Sequence, residues 1–390
     1  MRITIIYPLD DSGEKIGGIE KHIRDFLESA SLNIEIEVIG ITKTLKIGSW
    51  YNINFGKKVL KFFPILKLKN PNKRTKIPLI FKYTLSLLYY SRKINYKGSI
   101  LIFHRIEPSF VLWWVKAKKV LFVHGDVRYF NSDYSESKWR AIRFLYFFLE
   151  NFFIYQFNKI FTLTKSACEY YKKRYPKIAD RFEFFPSWFD EEIFRRYKNL
   201  DRENILRLFN IPSSRYLFLY VGRLEKPKNP FLLIDVFYIL NKFLDDSRLI
   251  IVGEGTLVGK INTKIITLEL EKKVNFLGVK KDQDIALLMN ISNLLILVSA
   301  FEGMPVVVLE ALACGLPVVA TKVGEVELVV KEGFSGKVVN SYDPKEIAKS
   351  IIEILKNPPD PGTCQKMVSK YSKKKLIKYL EIKLNELAKI

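Results

Sequence analysis

The chain is poor in several residues that usually announce a function. Its three cysteines, Cys168, Cys314 and Cys364, are scattered over 390 residues. They form neither a CxxC pair nor a disulfide framework. With only three histidines beside them, a zinc site is not expected, and a reducing, cytoplasmic setting is the simplest reading. Uncharged apolar runs of about 20 residues are missing, so no membrane-spanning helix is expected. The nearest approach, RFLYFFLENFFIYQF, is interrupted by Glu150, Asn151 and Gln156. The N-terminal MRITIIYPL is too short an apolar run for a signal peptide and reads as a buried first strand. Low-complexity tracts and fixed-period repeats are also absent, which excludes disordered and solenoid architectures.

One absence is local. Between Glu37 and Glu107 there is no acidic residue, and the same interval holds fifteen basic ones, from Lys43 to Arg105. Trp50, Tyr51, Phe55, Phe62, Phe63, Phe81, Tyr83, Tyr89 and Tyr90 are interleaved with them. The whole chain carries a net charge of +23. Such a surface attracts polyanions, whether anionic lipid headgroups, nucleic acid or phosphorylated substrates. The alternative is a set of ordinary solvated lysine faces.

What is present is a hydrophobic content of 48%, ordinary for a folded protein, in a length that suits two domains of roughly 150–200 residues. RITIIYPL predicts a strand, and GGIEKHIRDFLESA a helix with Ile19, Ile23, Phe26 and Leu27 on one face. EIEVIGI, SILIFHR and KKVLFVHG predict further buried strands, residues 138–158 an aromatic helix, and KIFTLTKSACEYYKKRY a strand followed by a helix. FFPSWFDEEIFRRY, residues 184–197, breaks the pattern at Pro186. The alternation then restarts with RYLFLYVGRL, the helix NPFLLIDVFYILNKFL, and the strands in RLIIVGEG, KVNFLGV, NLLILVSAF and LPVVATKVG. Alternating strands and helices imply parallel sheets with crossovers. The expectation is therefore an α/β protein of two doubly wound, Rossmann-like domains facing each other across a cleft. Residues 1–200 form the first, 201–370 the second, and 371–390 a C-terminal helix packing back on the first. Ligands of such sheets sit at the carboxyl ends of the strands.

Candidate site residues follow from that rule. In SAFEGMPVVVLEALACG, Glu302 lies in a turn after a strand and Glu310 one turn inside the next helix. Pro305 stands just ahead of that helix, where a missing N–H does no harm. The helix N-terminus suits phosphate or hydroxyl groups, and a carboxylate accepts two hydroxyl hydrogen bonds at once. The two glutamates are equally readable as a dipole-stabilised charge and an exposed helix position. In YVGRLEKPKNP, Arg223 and Lys228 share one loop and could neutralise a diphosphate, or be plain surface cations. Gly17 and Gly18 precede a helix, where bare backbone can approach a phosphate or simply turn. Gly253 and Gly255 lack the third glycine of a dinucleotide fingerprint. His124, with Gly125 and Asp126 beside it, stands at a strand end, as does His104. A lone histidine is more often structural. The aspartate pairs Asp10–Asp11 and Asp245–Asp246 have no metal-ligand companion.

Taken together and in order, these pieces resemble the retaining glycosyltransferases of family 4, the group 1 glycosyl transferases, which have the GT-B architecture. Glu302 and Glu310 match that family's E-x7-E motif. VGRLEKPKN, LIIVGEG, NFLGV, GGIE, FVHGD and the interdomain segment FPSWFDEEIF support the match, densely from about Tyr216 to Val339. The resemblance implies that Arg223 and Lys228 hold the donor diphosphate and act in catalysis with His124 and Glu302, while Gly17 and Gly18 close over the diphosphate. It further implies that Glu310 binds the ribose, that Glu302, Gly303, Met304, Pro305 and His124 surround the transferred sugar, and that the base lies near Gly253 and Val279. Transfer would retain configuration, with a nucleotide sugar as co-substrate, no other cofactor and no metal.

Two departures stand out: Met304–Pro305 replaces the usual Phe–Gly, and Ser187–Trp188 the usual Asn–Gly. The implied acceptor is a glycan or a lipid-linked sugar, in polysaccharide, glycolipid or cell-surface glycan biosynthesis. The implied location is cytoplasmic, peripheral on the inner membrane face through the basic 43–105 region. No nucleic-acid motif is found. The alternatives are a nucleotide-sugar epimerase of the same fold and a non-catalytic binding subunit.

Overall fold

The computed structural model describes residues 1–14, 17–56, 58–70, 77–124 and 143–389, without the side chains of 143–145. The chain divides into two compact units, one of Met1–Pro186 with Leu376–Ile390, the other of Ser187–Lys375.

The first unit is built on an eight-stranded sheet in the order β3-β4-β2-β1-β5-β6-β7-β8. Its strands are β1 (Arg2–Asp10), β2 (Glu35–Thr42), β3 (Tyr51–Phe55), β4 (Lys58–Lys67), β5 (Ser99–Phe103), β6 (Lys118–Val123), β7 (Lys159–Thr162) and β8 (Phe182–Phe184). Its first helices are α1 (Gly18–Ser29), α2 (Leu79–Tyr90), α3 (Arg143–Phe153) and α4 (Lys165–Arg174). All neighbours pair in parallel except β3, which runs antiparallel to β4 at the sheet edge. The central strands are near-continuous apolar runs because helices cover both faces. Chain order reverses between β1 and β5, so the crevice beyond their carboxyl ends is the place for a ligand.

Strand β4 carries a proline, which a ladder interior does not normally accept. Pro64 sits opposite Gly40, at the point where the β2–β4 register shifts. A side chain on Gly40 would run into the Leu9 carbonyl and the Phe62 ring. The bulge therefore requires a residue without a Cβ at position 40 and tolerates one without a donor opposite it.

The second unit begins with α5 (Arg202–Leu208) and alternates β9 (Tyr216–Val221), α6 (Pro230–Phe243), β10 (Ser247–Val252), α7 (Val258–Thr267), β11 (Val274–Gly278), α8 (Asp282–Ile291), β12 (Leu294–Leu297), α9 (Val306–Ala313), β13 (Val318–Thr321) and β14 (Gly336–Val339). The helices α10 (Pro344–Lys356), α11 (Pro361–Val368) and α12 (Lys373–Lys389) follow. The six strands are all parallel, in the order β11-β10-β9-β12-β13-β14. Counted within the unit this is 3-2-1-4-5-6, the Rossmann order, with its switch point between β9 and β12. From Leu376 onward α12 belongs to the first unit, where Ser31 donates to the Glu381 carboxylate from N and Oγ, both at 2.6 Å.

Among the described residues no helix is long and apolar enough to cross a membrane. No group of three His, Cys, Asp or Glu side chains is arranged there to hold a metal ion. The three cysteines are buried and unpaired with one another.

Candidate functional site

The loops after β9 and β12 meet at the switch point of the second unit. Ala300 N and Phe301 N both donate to the Pro227 carbonyl, at 2.8 and 3.2 Å. Lys228 is thereby brought against Glu302, and the two form an ion pair. Ser299 Oγ donates to the same Glu302 oxygen at 2.9 Å, so the carboxylate is held from two sides. Asn229 adopts a left-handed conformation and Pro230 opens α6, a stop and start that fixes where Lys228 leaves the turn.

Arg223 stands on the same loop but is differently placed. Its side chain is exposed, and among the described residues its guanidinium makes no hydrogen bond or ion pair. The loop beneath it is rigid. Leu224 N donates to the Glu254 carbonyl at 2.9 Å, and Gly253 N to the Gly278 carbonyl at 2.8 Å. Glu225 accepts from Thr256 N at 3.0 Å and Thr256 Oγ at 2.6 Å. Gly253 has φ +133°, and a Cβ there would strike the Gly222 carbonyl; one on Gly255 would strike that of Leu224. These glycines let the loops after β9 and β10 run in contact. Val279, which follows β11, is exposed.

Glu302 and Glu310 have different surroundings. Gly303 accepts from Glu325 N at 2.9 Å, and Gly324, at φ +49°, lies so close that any Cβ would strike the Gly303 carbonyl. Met304 and Pro305 are buried, and no side chain caps α9, leaving its first N–H groups available to a ligand. Glu310 is only 7% exposed. An isolated surface acid would not be sequestered in that way, since buried carboxylates need partners. Its neighbour Cys314 has its thiol pushed above its usual range by burial and by the Glu310 charge.

In the first unit the candidates gather at the carboxyl ends of β1, β5 and β6. Gly17 caps α1 in an extended conformation, and a Cβ on it would meet the Glu20 carboxylate, whereas Gly18 has open space around it. Tyr7 Oη donates to Glu20 at 2.8 Å. His124 is not alone, because the chain's three histidines form one cluster. His104 Nδ1 and His124 Nε2 share a hydrogen bond of 2.7 Å, and the His22 ring centroid lies 5.8 Å from that of His104 and 5.1 Å from that of His124. Phe122 stacks on His104. Burial drives all three imidazoles well toward the neutral form. In His22 and His104 the neighbouring histidines add to it, and His124 is pushed down to about 3 with help from Arg105. Gly125 and Asp126 of the FVHGD motif lie outside the described residues.

The arrangement thus joins Lys228 with Glu302 and sets Arg223, Gly253 and Gly255 on adjoining loops. Glu310 is placed in the following helix, and His124 is drawn together with His22 and His104. Ser299, Glu20 and Tyr7 were not expected. Ser299 is readable in hindsight as the serine three residues before Glu302. Tyr7 and Glu20 have no signal beyond standing beside a strand end and a glycine pair.

Residues 201–375 match the glycosyl transferases group 1 family. Among curated proteins, N-acetyl-alpha-D-glucosaminyl L-malate synthase of Bacillus anthracis is 30% identical over 165 residues, 42% of each chain. The UDP-Gal:alpha-D-GlcNAc-diphosphoundecaprenol alpha-1,3-galactosyltransferase of Escherichia coli is 28% identical over 151 residues, 38% of each chain. The alignments with these relatives thus span less than half of their length. Among solved structures, sucrose-phosphate synthase from Thermosynechococcus elongatus superposes with a TM-score of 0.78 at 17% identity, covering 99% of this chain and 98% of that one. Anabaena HepE in complex with UDP and glucose gives 0.71 at 16% identity over 99% of both. The chain has the GT-B fold, and its second unit matches the glycosyl transferases group 1 family over residues 201–375.

Proposed function

We propose that the chain is a retaining glycosyltransferase, moving a sugar from a nucleotide-sugar donor to an acceptor hydroxyl. The observation that carries this reading is the Lys228–Glu302 pair beside the unpaired Arg223 at the β9/β12 switch point. An uncompensated guanidinium on a rigid loop is a preformed site for a diphosphate, which it meets through two parallel hydrogen bonds. On donor binding Lys228 turns from Glu302 to the phosphates. The released carboxylate then accepts hydrogen bonds from the sugar hydroxyls, with Ser299 keeping it in place. Glu310 takes the ribose hydroxyls and His124 contacts the transferred sugar. Gly303, Met304 and Pro305 contribute backbone beside the sugar, Gly17 and Gly18 offer bare backbone to the diphosphate, and the base rests near Gly253 and Val279.

In the reaction the bond between the anomeric carbon and the diphosphate oxygen breaks, and the acceptor oxygen bonds to the same face of that carbon. The acceptor proton passes to the departing diphosphate, so no separate base is needed. Arg223 and Lys228 supply the positive charge that the leaving group requires, and the mechanism runs without a metal. Of the two curated relatives above, the diphosphoundecaprenol-linked galactosyltransferase supports an acceptor in glycan or glycolipid synthesis, whereas the N-acetyl-alpha-D-glucosaminyl L-malate synthase is named for transfer to a small hydroxy acid. The HepE complex with UDP and glucose makes UDP-sugars the first donors to try.

The test is release of nucleoside diphosphate in the presence of a glycolipid acceptor fraction, with the anomeric configuration of the product read by NMR. Wild-type protein should release it and form a product of retained configuration. Glu302→Ala should lower turnover on the order of a hundredfold or more without loss of fold. An inverted product, or wild-type turnover in the variant, overturns the reading.

A further inference from the structure

A helix that is apolar on nearly every side belongs in a core, yet α2, interrupted only by Lys82, Thr84 and Ser86, lies at the surface. Its inward residues Ile80, Tyr83 and Leu87 enter the core, while Phe81, Leu85, Leu88 and Tyr89 face outward, with Tyr89 70% exposed. The spacing 81, 85, 88, 89 makes these four a single helical stripe. The following helix on the same side repeats the pattern. In α3 and the turn after it, Phe148, Phe152 and Tyr155 form an exposed stripe, with Phe152 71% exposed. Between the two lie Trp113 and Trp114, the first 65% exposed.

These stripes belong to one surface. Ile80, Tyr83, Leu87, Leu112, Val115 and Ile154 all enter the same core cluster, so their elements lie over one face of the sheet. Phe110 stacks on Phe153 with centroids 4.6 Å apart, tying the 107–111 turn to α3.

The tryptophan turn is also held rigid, and by an unusual device. Lys119 is buried and donates to the carbonyls of Leu112 at 2.8 Å and Trp113 at 3.3 Å, and to Gln156 at 2.9 Å. Trp114 Nε1 donates to the Val111 carbonyl at 3.1 Å. A buried lysine spent on backbone carbonyls fixes two exposed indoles in place. Free surface side chains need no such support.

Among the described residues, the acids carried by these three elements, Glu107 and Glu150, are both buried, the first paired with Arg105 and the second accepting from Tyr171 Oη at 2.9 Å and Tyr175 Oη at 3.3 Å. Arg92, Lys93 and Lys116 are exposed. Lys93 Nζ lies over the rings of Tyr89 and Tyr90, at 5.3 and 5.4 Å from their centroids. Beyond them α4 and its turn expose Lys165, Lys172, Lys173 and Lys177 against Glu169 and Asp180.

From this we infer that the α2, Trp113–Trp114 and α3 face docks on a bilayer surface containing anionic lipid. The indoles and Tyr89 sit at headgroup level, where amphipathic rings are favoured. Leu85, Leu88, Phe148 and Phe152 enter the acyl boundary, as the apolar face of an interfacial helix does. Arg92, Lys93 and Lys116 meet the lipid phosphates. Exposed leucines decide between partners, because a nucleic-acid surface would use rings and cations but has no use for Leu85 and Leu88. This goes beyond the proposed transfer reaction and does not depend on it. It also shifts the docking surface from the basic 43–105 segment as a whole to the outward face of α2 and the two elements after it.

The test is flotation of the full chain with vesicles of phosphatidylcholine alone and of phosphatidylcholine mixed with phosphatidylglycerol. Wild-type protein should float with the mixed vesicles and not with the neutral ones. Leu85→Gln/Leu88→Gln/Phe152→Gln should stay at the bottom of the gradient with its melting temperature unchanged. Arg92→Gln/Lys93→Gln/Lys116→Gln should lose roughly fivefold in partitioning per cation removed at low salt. Equal recovery with both vesicle types overturns the inference, as does an apolar variant that floats like wild type. So does a wild type that fails to float and sediments as a dimer which the apolar variant dissociates, because the face would then be covered by a second copy.

Discussion

At the scale of single residues, the histidine cluster makes the sharpest prediction. Burial holds His22, His104 and His124 below the usual 6.5, His124 at about 3. The folded protein therefore refuses protons that the unfolded chain accepts. Stability is complete above about pH 6.5 and falls as the pH drops from there toward the folded values, on the order of 1.4 kcal/mol per pH unit for each histidine. Urea midpoints measured from neutral pH downward should show this slope, and His22→Gln should flatten it by one histidine's share. An unchanged slope in that variant would mean that His22 takes up its proton in the folded state. None of this was legible in the sequence, since positions 22, 104 and 124 meet only because β1, β5 and β6 are neighbours in the sheet. Glu302 and Glu310 were legible as a spaced pair. The burial of Glu310 was not, because an eight-residue helix with an apolar residue at nearly every position gives no periodicity from which to read an inner face.

At the scale of elements, glycines separate loop packing from ligand approach. Gly324 lets the loop after β13 touch Gly303, so Gly324→Ala should destabilise by more than about 1 kcal/mol and weaken donor binding by moving the Glu302 loop. Gly18 has open space around it, so Gly18→Ala should leave the denaturation midpoint unlowered. If the bare backbone there serves a diphosphate, the same variant should still lose donor affinity; unchanged affinity would make Gly18 a plain turn residue. The major strands were legible as apolar runs between turn residues. Four were not: β3 carries Asn52 and Asn54, and β4 carries three lysines and Pro64, which argues against a strand until the Gly40 bulge opposite it is seen. β8 and β14 have only three and four residues, too few for a pattern. The helix expected over 138–158 is α3 at Arg143–Phe153 with a short turn to Gln156, while residues 138–142 fall outside the described part.

For the whole molecule, the alternation of strands and helices was enough to read a doubly wound α/β protein, because parallel strands cannot be joined without crossovers. The strand order of the second unit was not readable, yet it is the order that sets Arg223 and Glu302 on adjoining loops. The charge of +23 was legible as a number, but not which cations stand beside exposed aromatic side chains. Because the proposed transfer draws its positive charge from Arg223 and Lys228, a chelator should leave turnover unchanged. Loss of activity restored by added Mg²⁺ would contradict the metal-free mechanism.

In the proposed reaction the β9/β12 switch point is a nucleotide-sugar site, and Arg223 is the exposed cation that meets the diphosphate. The most direct test is thermal denaturation of wild-type protein and Arg223→Ala across a panel of nucleotide sugars. The two proteins should melt together without ligand, since the guanidinium makes no hydrogen bond or ion pair among the described residues. At least one nucleotide sugar should raise the wild-type melting temperature by mass action and leave the variant unmoved. If no nucleotide sugar stabilises the wild type, or one stabilises the variant equally, the site is not where this account puts it.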